Sequence, residues 1–433
     1  MLQFWSLLRR NPNYRYAWFG QTVSEVGDHF NTIAVLSLAL RMTGSGATVG
    51  IVMLARILPA LLAGPVAGVI LDRYDRRKVM IASDLFRGVI ALLHVLLLTI
   101  PSPGLMYLLS ALLMFASPFF NAGRSAILPT IAGQKDLHTA NALTQTTAWL
   151  TLTIGTMLGG VSTAQFGYEW AFVANAASFF ISAAAIWRIV SPSGHFRPER
   201  ATAALTTAVR FQGVREFMES LRYMRSRPLI FGIALTTVGW ASGGGAAQVL
   251  FTLFGEVVYQ RGPAGVGLIW GFAGIGLVLG GLLGHRLGER LQFEGYKRTL
   301  TISFAVHGLS YILFALMPNI WLSLIFITLS RVSMGLNNVL NRTMLLQHVP
   351  DFLRGRVFTT VEMMMHATMM ISLGAASWAS AIYPIRTIGV IAGALSATTA
   401  IYWAWANATG RLTEPPRDDT ATDLDLAEPV TSS

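Results

Sequence analysis

The chain has 433 residues, of which 53% are hydrophobic and only 12% are charged. A soluble protein carries about 25% charged residues, so the surfaces of ordinary soluble domains are excluded. The formal net charge of +11 does not indicate nucleic acid, because a nucleic-acid-binding protein needs a water-soluble basic face. The absence of cysteine excludes disulfide frameworks and thiolate sites for metals or redox chemistry. The composition is typical of a polytopic membrane protein.

The first residues do not resemble a cleavable signal peptide. Arg9, Arg10 and Arg15 follow a short apolar patch, whereas a signal peptide places its positive charges before the apolar stretch. We therefore expect the first long apolar segment to remain in the protein.

Twelve apolar stretches are long enough to cross a bilayer, which takes about 20 helical residues. In the first half of the chain they are 17–40, 48–71, 79–100, 104–130, 140–163 and 168–190. In the second half they are 229–254, 263–288, 297–317, 320–347, 357–382 and 385–408. The stretches are continuously apolar rather than alternating, which predicts helices and not a barrel.

Two polar segments separate or follow these spans. Within 191–228, an amphipathic helix is predicted by the apolar face of Val214, Phe217, Met218 and Leu221. We expect this linker helix to lie on the membrane surface. The segment 409–433 is rich in Asp, Thr and Pro, which predicts a disordered tail. The predicted domains are a bundle at 1–190, a linker at 191–228, a second bundle at 229–408 and the tail at 409–433.

The basic residues predict the orientation in the membrane, because Lys and Arg accumulate on cytoplasmic loops. With the N-terminus placed in the cytoplasm, nearly all of the 32 Lys and Arg residues fall on cytoplasmic segments. Only Arg41, Arg261 and Arg386 fall on outer loops. We therefore expect both termini to be cytoplasmic.

A glycine and a polar residue recur at the same spacing in both halves of the chain. Gly68 and Asp72 at the end of the second span correspond to Gly281 and His285 at the end of the eighth, and an arginine follows each polar residue. A repeat at half length, with six spans in each copy, is typical of secondary transporters with parallel repeats. The predicted fold is all-α, with two six-helix bundles around a central cavity.

The first copy of this motif resembles the signature loop of the major facilitator superfamily. Asp72 lies at a helix C-terminus, where the macrodipole disfavours an anion, so neighbouring cations are needed. The resemblance implies that the cluster bridges the cytoplasmic ends of the two halves and holds one conformation closed. The alternative is that these charges only follow the positive-inside rule. The expected gate residues are Gly68, Asp72, Arg73, Arg76, Arg77 and, on the eleventh span, Glu362.

Further motifs resemble the drug-exporter branch of this superfamily, which includes macrolide efflux pumps and the enterobactin exporter. They are Asn13-Tyr-Arg15, Trp18-Phe-Gly20-Gln21, Ala55-Arg56-Ile-Leu-Pro59, Asp84-Leu-Phe-Arg87 and Arg354-Gly355-Arg356-Val357. The resemblance runs from about residue 13 to about residue 408. It implies a drug:proton antiporter in the inner membrane of a bacterium.

Ionisable residues within the spans are the candidate coupling residues, because a charge at the centre of a spanning helix costs about 2.5–3.5 kcal/mol. Glu25, Asp28 and His29 lie at helical spacing on one face of the first span. We expect Glu25 or Asp28 to bind a proton, with His29 as a hydrogen-bonding neighbour. The alternative is a static pair between Asp28 and Arg56 of the second span.

Arg331 is a separate candidate on the tenth span, because no acid lies within one helical turn of it. We expect it to bind an anionic group of the substrate or to reach a carboxylate across the cavity. Asp84 and Arg87, three residues apart on the third span, are interpreted as neutralising each other locally.

The sequence therefore predicts proton-coupled export of bulky hydrophobic or amphiphilic small molecules by alternating access. No glycine-rich nucleotide loop, metal-ligand cluster or nucleophile–base set is found, so we expect no ATP, cofactor, metal or enzymatic activity. The expected partners are a small-molecule substrate, protons and the lipid bilayer, with the monomer as the functional unit. The alternatives are a siderophore or lysolipid carrier, or a membrane sensor or scaffold that does not transport.

Overall fold

The computed structural model describes residues 2–191, 194–197 and 209–414, and the regular elements in these ranges are all helices. In the first half they are α1 (Leu2–Arg10), α2 (Pro12–Thr43), α3 (Gly46–Arg73), α4 (Arg76–Leu93, extended by a 3₁₀ turn at His94–Leu98) and α5 (Pro103–Trp187). After the linker helix α6 (Val209–Ser226) come α7 (Pro228–Leu253, extended by a π turn at Phe254–Val258), α8 (Gly262–Gly288), α9 (Phe293–Leu316), α10 (Ile320–His348), α11 (Asp351–Ala379) and α12 (Ile385–Ala408).

The 85-residue α5 is three helices joined without intervening loops. Its backbone leaves the helical conformation at Gly133, with φ of 74°, and at Gly167, with φ of 88°. Only glycine adopts such positive φ values without strain, so these two residues permit sharp turns inside the element. We call the three stretches α5a (103–132), α5b (134–166) and α5c (168–187). They correspond to the fourth, fifth and sixth predicted spans.

Eight helices in the described ranges are long and apolar enough to cross a membrane, with α5 counted once. The helices α2 and α11 have 32 and 29 residues but are less apolar, because they carry the acids Glu25, Asp28 and Glu362. Each of the twelve predicted spans falls on one helical stretch once α5 is divided at its two glycines. Hydropathy alone therefore misses the helix with three coupling candidates, α2, and the helix that carries the predicted gate residue Glu362, α11.

Several helices extend beyond the predicted spans at their polar ends. The helix α2 begins at Pro12 rather than residue 17, because the side chain of Asn11 caps it by accepting a hydrogen bond from the Tyr14 amide at 3.0 Å. The helix α11 begins at Asp351 rather than residue 357. The extra turns carry polar residues that apolar windows exclude.

The helices before the linker pack mainly against one another, and so do those after it. At the end of the molecule that holds the α2–α3 turn, a single hydrophobic cluster joins the two halves and contains Val49, Phe172 and Phe251. At the opposite end the core is divided into two clusters, one containing Tyr14 and the other containing Trp403. The halves are therefore joined at the first end, called here the seam end, and separate at the other, the open end.

The linker helix α6 contacts the second half through charged residues. Glu216 of α6 lies 3.1 Å from the guanidinium of Arg356 on α11. On the predicted apolar face, Met218 is 55% exposed, whereas Met224, one turn beyond Leu221, is buried. The side chain of Val214 and the predicted tail from residue 415 onward lie outside the described residues. The domain boundaries at residues 190, 228 and 408 remain predictions.

Candidate transport pathway

Glycines close the interface between the halves at the seam end. A Cβ atom at Gly50 of α3 would lie 2.5 Å from Cβ of Ser377 on α11. A Cβ atom at Gly160 of α5b would lie 2.7 Å from Cα of Gly267 on α8. Such approaches leave no space for a side chain at these glycines. The backbone of Gly160 packs against that of Gly267, and Gly50 packs against the side chain of Ser377. We call these contacts, together with that of Gly46 against Ser380, the glycine seam.

The predicted gate residues lie at the open end and, in this conformation, face the first half or solvent. Arg76 donates to the carbonyl of Ala126 at 3.3 Å, and Arg77 donates to the carbonyl of Ile189 at 2.6 Å. Asp72 and Arg73 are exposed, and nothing lies within 4 Å of the Cβ position at Gly68.

Glu362 is also exposed, and within the described ranges it forms no ion pair with the gate arginines. The predicted contact between Glu362 and this cluster is therefore not made in this conformation. The gate remains a prediction for the conformation in which the open end closes.

Sequence reasoning missed a second aspartate in the same motif. Asp75 is buried and caps α4 by accepting from the Lys78 amide at 3.1 Å. Its other oxygen accepts from the Phe196 amide at 2.9 Å, which ties the chain after α5c to the start of α4. The signal in the sequence is an Asp a few residues before the predicted third span, since Asp is a preferred N-cap residue.

A cavity of about 260 Å³ lies between the halves. It is lined by Trp149 and Leu150 of α5b, Leu277 and Leu282 of α8, and Asn338 of α10. These residues lie on the open-end side of the contacts that α5b and α8 make in the glycine seam. The lining is mainly apolar, which suits hydrophobic parts of a small molecule.

A buried charge cluster connects α2 and α4. Arg87 pairs with Asp84 on its own helix and also lies 3.9 Å from Oδ2 of Asp28. Its guanidinium lies between the rings of Phe120 and Phe179, 4.9 and 4.4 Å from their centroids. The side chain of Asp84 is 0% exposed, whereas that of Asp28 is 26% exposed. One cation is thus shared by two carboxylates.

The alternative pairing of Asp28 with Arg56 is not formed. Arg56 instead donates to Oδ1 of Asn31 at 3.0 Å and to Oγ1 of Thr32 at 2.8 Å. The local Asp84–Arg87 pair predicted from their spacing is present, but the second contact of Arg87 with Asp28 was not predicted. Oδ1 of Asp28 is buried and has no hydrogen-bond partner in the described part of the chain.

Glu25 is held by hydrogen bonds from two helices. Its Oε1 accepts from Gln21 at 2.6 Å and its Oε2 accepts from Thr151 of α5b at 2.8 Å. Gln21 in turn accepts from Arg124 of α5a at 2.6 Å. Arg124 lies inside α5a and contacts the first span through Gln21.

His29 contacts α5b rather than Asp28. A Cβ atom at Gly155 would lie 2.9 Å from Cδ2 of His29. No hydrogen bond joins the described side chains of His29 and Asp28, although they are adjacent on one face. The close contact with Gly155 fixes the position of the ring.

Arg331 lies in the second half without an acidic partner. Its guanidinium is 5.2 Å from the ring centroid of Phe251 and 3.2 Å from the sulfur of Met334. The residue is 7% exposed, and no carboxylate of the described ranges lies within ion-pair distance. The predicted carboxylate across the cavity is therefore not in contact with it in this conformation.

Comparison with known proteins agrees with this architecture. The model of the family described as "Transmembrane secretion effector" matches residues 4–428. The putative bacilysin exporter BacE of Bacillus subtilis (strain 168) is 25% identical over 352 residues, covering 81% of this chain and 84% of the relative. The enterobactin exporter EntS of Salmonella typhi is 28% identical over 363 residues, covering 81% of this chain and 82% of the relative.

Two solved structures share the fold at low sequence identity. A bacterial homolog of the human lysosomal transporter Spinster, in an inward-facing and unoccupied conformation, has a TM-score of 0.64 at 14% identity and covers 92% of this chain and 96% of its own. The nucleoside transporter NupG has a TM-score of 0.69 at 13% identity and covers 90% of this chain and 98% of its own. The chain belongs to the transmembrane secretion effector family of the major facilitator superfamily, whose members are membrane transporters and not enzymes.

Proposed function

We propose that this secondary transporter exports bulky hydrophobic or amphiphilic small molecules across the bacterial inner membrane in exchange for protons. In this proposal both termini lie in the cytoplasm. The protein transports as a monomer embedded in the lipid bilayer. Export is supported by the relatives, which are described as exporters of bacilysin and enterobactin. The apolar cavity between α5b, α8 and α10 supports the substrate class.

Proton coupling is carried by the sharing of Arg87 between Asp84 and Asp28. One guanidinium neutralises one carboxylate, and an uncompensated charge inside the membrane costs about 2.5–3.5 kcal/mol. Asp84 is fully buried and in direct contact with Arg87, whereas Asp28 is farther from Arg87 and partly exposed. Asp28 is therefore the carboxylate that takes up and releases the proton.

The open end is assigned to the cytoplasm, because the basic residues of the α3–α4 turn lie there and positive charges mark the cytoplasmic side. The described conformation is then inward-facing, with the glycine seam closing the outer side. Substrate enters the cavity from the cytoplasm. When the halves rock, the seam opens and the gate residues around Asp72, together with Glu362, close the inner end.

The proposal is tested by substrate flux in proteoliposomes that carry a pH gradient. We expect gradient-dependent export of fluorescent amphiphilic dyes by the parent protein. Asp28→Asn is expected to abolish gradient-dependent flux while the protein remains folded. The matched control is Asp136→Asn, because Asp136 pairs with Arg10 at the surface, 3.3 Å away, and is distant from the Arg87 cluster. Full gradient-driven flux by Asp28→Asn would contradict the assignment.

The unpaired Arg331 supports a second candidate, a carrier of anionic molecules such as a siderophore or a lysolipid. A buried cation without an acidic partner is stabilised by binding an anionic group. We expect Arg331→Gln to reduce the transport of anionic dyes more than that of neutral ones. Equal losses for both would exclude Arg331 as an anion site. The absence of flux across the whole dye panel would instead indicate a sensor or scaffold.

A further inference from the structure

A second acidic residue lies between the halves, far along the chain from the Arg87 cluster. Glu256 belongs to the π turn at Phe254–Val258, which extends α7 at the seam end. Single π turns in otherwise regular helices frequently occur at functional positions. Across the interface, the carboxylate faces Ser37 and Arg41, both on α2 of the first half. The surroundings of Glu256 therefore depend on whether the seam is open or closed.

The closed seam leaves this carboxylate incompletely satisfied. The Ser37 hydroxyl lies beside the carboxylate and favours its ionised form. Among the described residues, however, neither Oε1 of Glu256 nor Oγ of Ser37, both out of solvent, completes a hydrogen bond of normal geometry. Arg41 does not approach Glu256 within ion-pair distance; its guanidinium lies 5.8 Å from the ring centroid of Tyr168 on α5c. Glu256 is thus a half-buried acid with one enclosed oxygen and a distant cation, rather than a member of an ion pair.

The groups around Glu256 are few. From α2 and α5c, the charged and titratable neighbours are Arg41 and Tyr168. From the start of α8, the nearest position is Gly262, where a Cβ atom would lie 4.0 Å from Oε2 of Glu256. Arg261 precedes this helix but forms no ion pair with Glu256 within the described ranges. On its own element, Tyr259 points elsewhere and donates to Ser323 at 2.8 Å.

A carboxylate oxygen that is enclosed without a hydrogen-bond donor disfavours the ionised form relative to the neutral form, even where the rest of the side chain reaches water. Opening of the seam separates α7 from α2 and returns water to Glu256, which favours the ionised form. Seam closure and proton binding at Glu256 are therefore linked. The closed seam favours the protonated carboxyl, so proton binding shifts the equilibrium toward the closed seam.

We propose that Glu256 is a second proton-binding site, on the outer side of the membrane, and that its protonation favours the closed seam. The inference rests on the proposed alternation of the two halves but does not depend on Asp28 as the transported-proton site. An acidic exterior would thereby promote the return to the inward-facing conformation, which is the conformation that receives substrate.

The test measures the seam directly with two spin labels. The chain has no cysteine, so labels attached at Thr43→Cys and Ile382→Cys are the only ones present. Both positions are exposed and lie at the seam end, one in each half. Distances between the labels are measured by pulsed electron paramagnetic resonance in lipid nanodiscs at about pH 4.5 and about pH 8. An ordinary glutamate is about half protonated near the lower value and ionised at the upper one.

We expect acidification to raise the ratio of closed to open seam roughly tenfold, within the range of typical coupling between sites. Glu256→Gln, which carries a permanently neutral side chain, should keep the seam closed at both pH values. Glu256→Asp retains a titratable group and should retain the pH dependence. The matched control is Glu169→Gln, because Glu169 is an exposed acid beside Tyr168; it should behave like the parent.

Three results would overturn the proposal. They are a pH-independent distance in the parent, an opened seam in Glu256→Gln, and a full pH response in Glu256→Gln. An opened seam would mean that the ionised carboxylate acts as a latch with Arg41, and a retained response would place the titrating group elsewhere. If Asp28→Asn retained full gradient-driven dye flux while the label distances behaved as expected, only the proposed coupling site would be rejected.

Discussion

Arg87 determines how the two acids of the buried cluster differ. It contacts Asp84, lies 3.9 Å from Asp28 and has aromatic rings on both sides. The rings of Phe120 and Phe179 leave the guanidinium little freedom to follow Asp28 outward. This arrangement supports the proposal that Asp84 is a fixed counter-ion and that Asp28 is the residue whose charge changes during transport.

This difference predicts unequal stability losses for matched substitutions. Asp84→Asn leaves Arg87 buried without its main partner, and breaking a buried pair on one side costs about 3–5 kcal/mol. Asp28→Asn removes a longer and partly exposed contact and should cost less than about 1 kcal/mol. Thermal unfolding of the purified variants, followed by tryptophan fluorescence, measures the difference. Equal shifts in melting temperature would contradict the separate roles.

The candidate site was only partly predictable at the residue scale. The helical spacing of Glu25, Asp28 and His29 was sufficient to identify one polar face of α2. It did not reveal that Arg87 reaches Asp28 or that Arg124 reaches Gln21, because these partners lie on helices whose rotations depend on tertiary packing. Glu256 was missed because it falls at the edge of an apolar span, where an acid is unremarkable in sequence.

At the scale of elements, the glycine seam explains how two helix pairs close one side of the pathway. The lipid tails are as apolar as the helices, so association within the membrane depends on close packing of small residues. Gly50 against Ser377 and Gly160 against Gly267 provide this packing between α3 and α11 and between α5b and α8. We expect this packing to be lost when a larger residue replaces either glycine.

Gly50→Ala is therefore expected to shift the protein away from the described conformation. The added methyl group would lie 2.5 Å from Cβ of Ser377, which is too close for real atoms. We expect a larger open-seam fraction in the spin-label measurement and a clear loss of flux. Gly64→Ala on the same helix is the control, because nothing lies within 4 Å of its Cβ position. Identical behaviour of the two variants would contradict the role of the seam.

The helix boundaries show which parts of the fold the sequence patterns were sufficient to predict. Apolar length placed every span on a helical stretch, because a bilayer imposes a minimum length on each crossing. It did not predict the direct junctions at Gly133 and Gly167, where the turn depends on positive φ values rather than on a polar loop. Nor did it predict the polar extensions of α2 and α11, which caps and charged residues stabilise outside the apolar core.

At the scale of the whole molecule, the core is shared between the halves at one end and divided at the other. This arrangement fits one of the two states that the proposed alternation requires. In this conformation the described gate residues of the first half do not bridge the two halves. Asp72 and Arg73 are exposed, and Arg76 and Arg77 donate to carbonyls of their own half. We therefore propose that the gate forms in the opposite state, in which the open end closes.

Asp72→Asn is consequently expected to leave the described state unaffected. An exposed substitution without a lost contact should change the free energy of unfolding by no more than about 0.5 kcal/mol. Transport should nevertheless fall, because the outward-facing state loses a gate interaction. Melting temperature and dye flux, measured on the same preparation, separate the two effects. Unchanged flux would mean that these charges serve orientation only.

The central claim is that outward movement of substrate and inward movement of protons occur in one cycle. It is tested most directly in proteoliposomes that enclose a pH-sensitive dye, when an outward gradient of a transported compound is imposed without any initial pH gradient. The account predicts acidification on the side from which substrate departs, in proportion to the substrate moved, and none with Asp28→Asn. Substrate movement without any proton movement in the parent protein would contradict it.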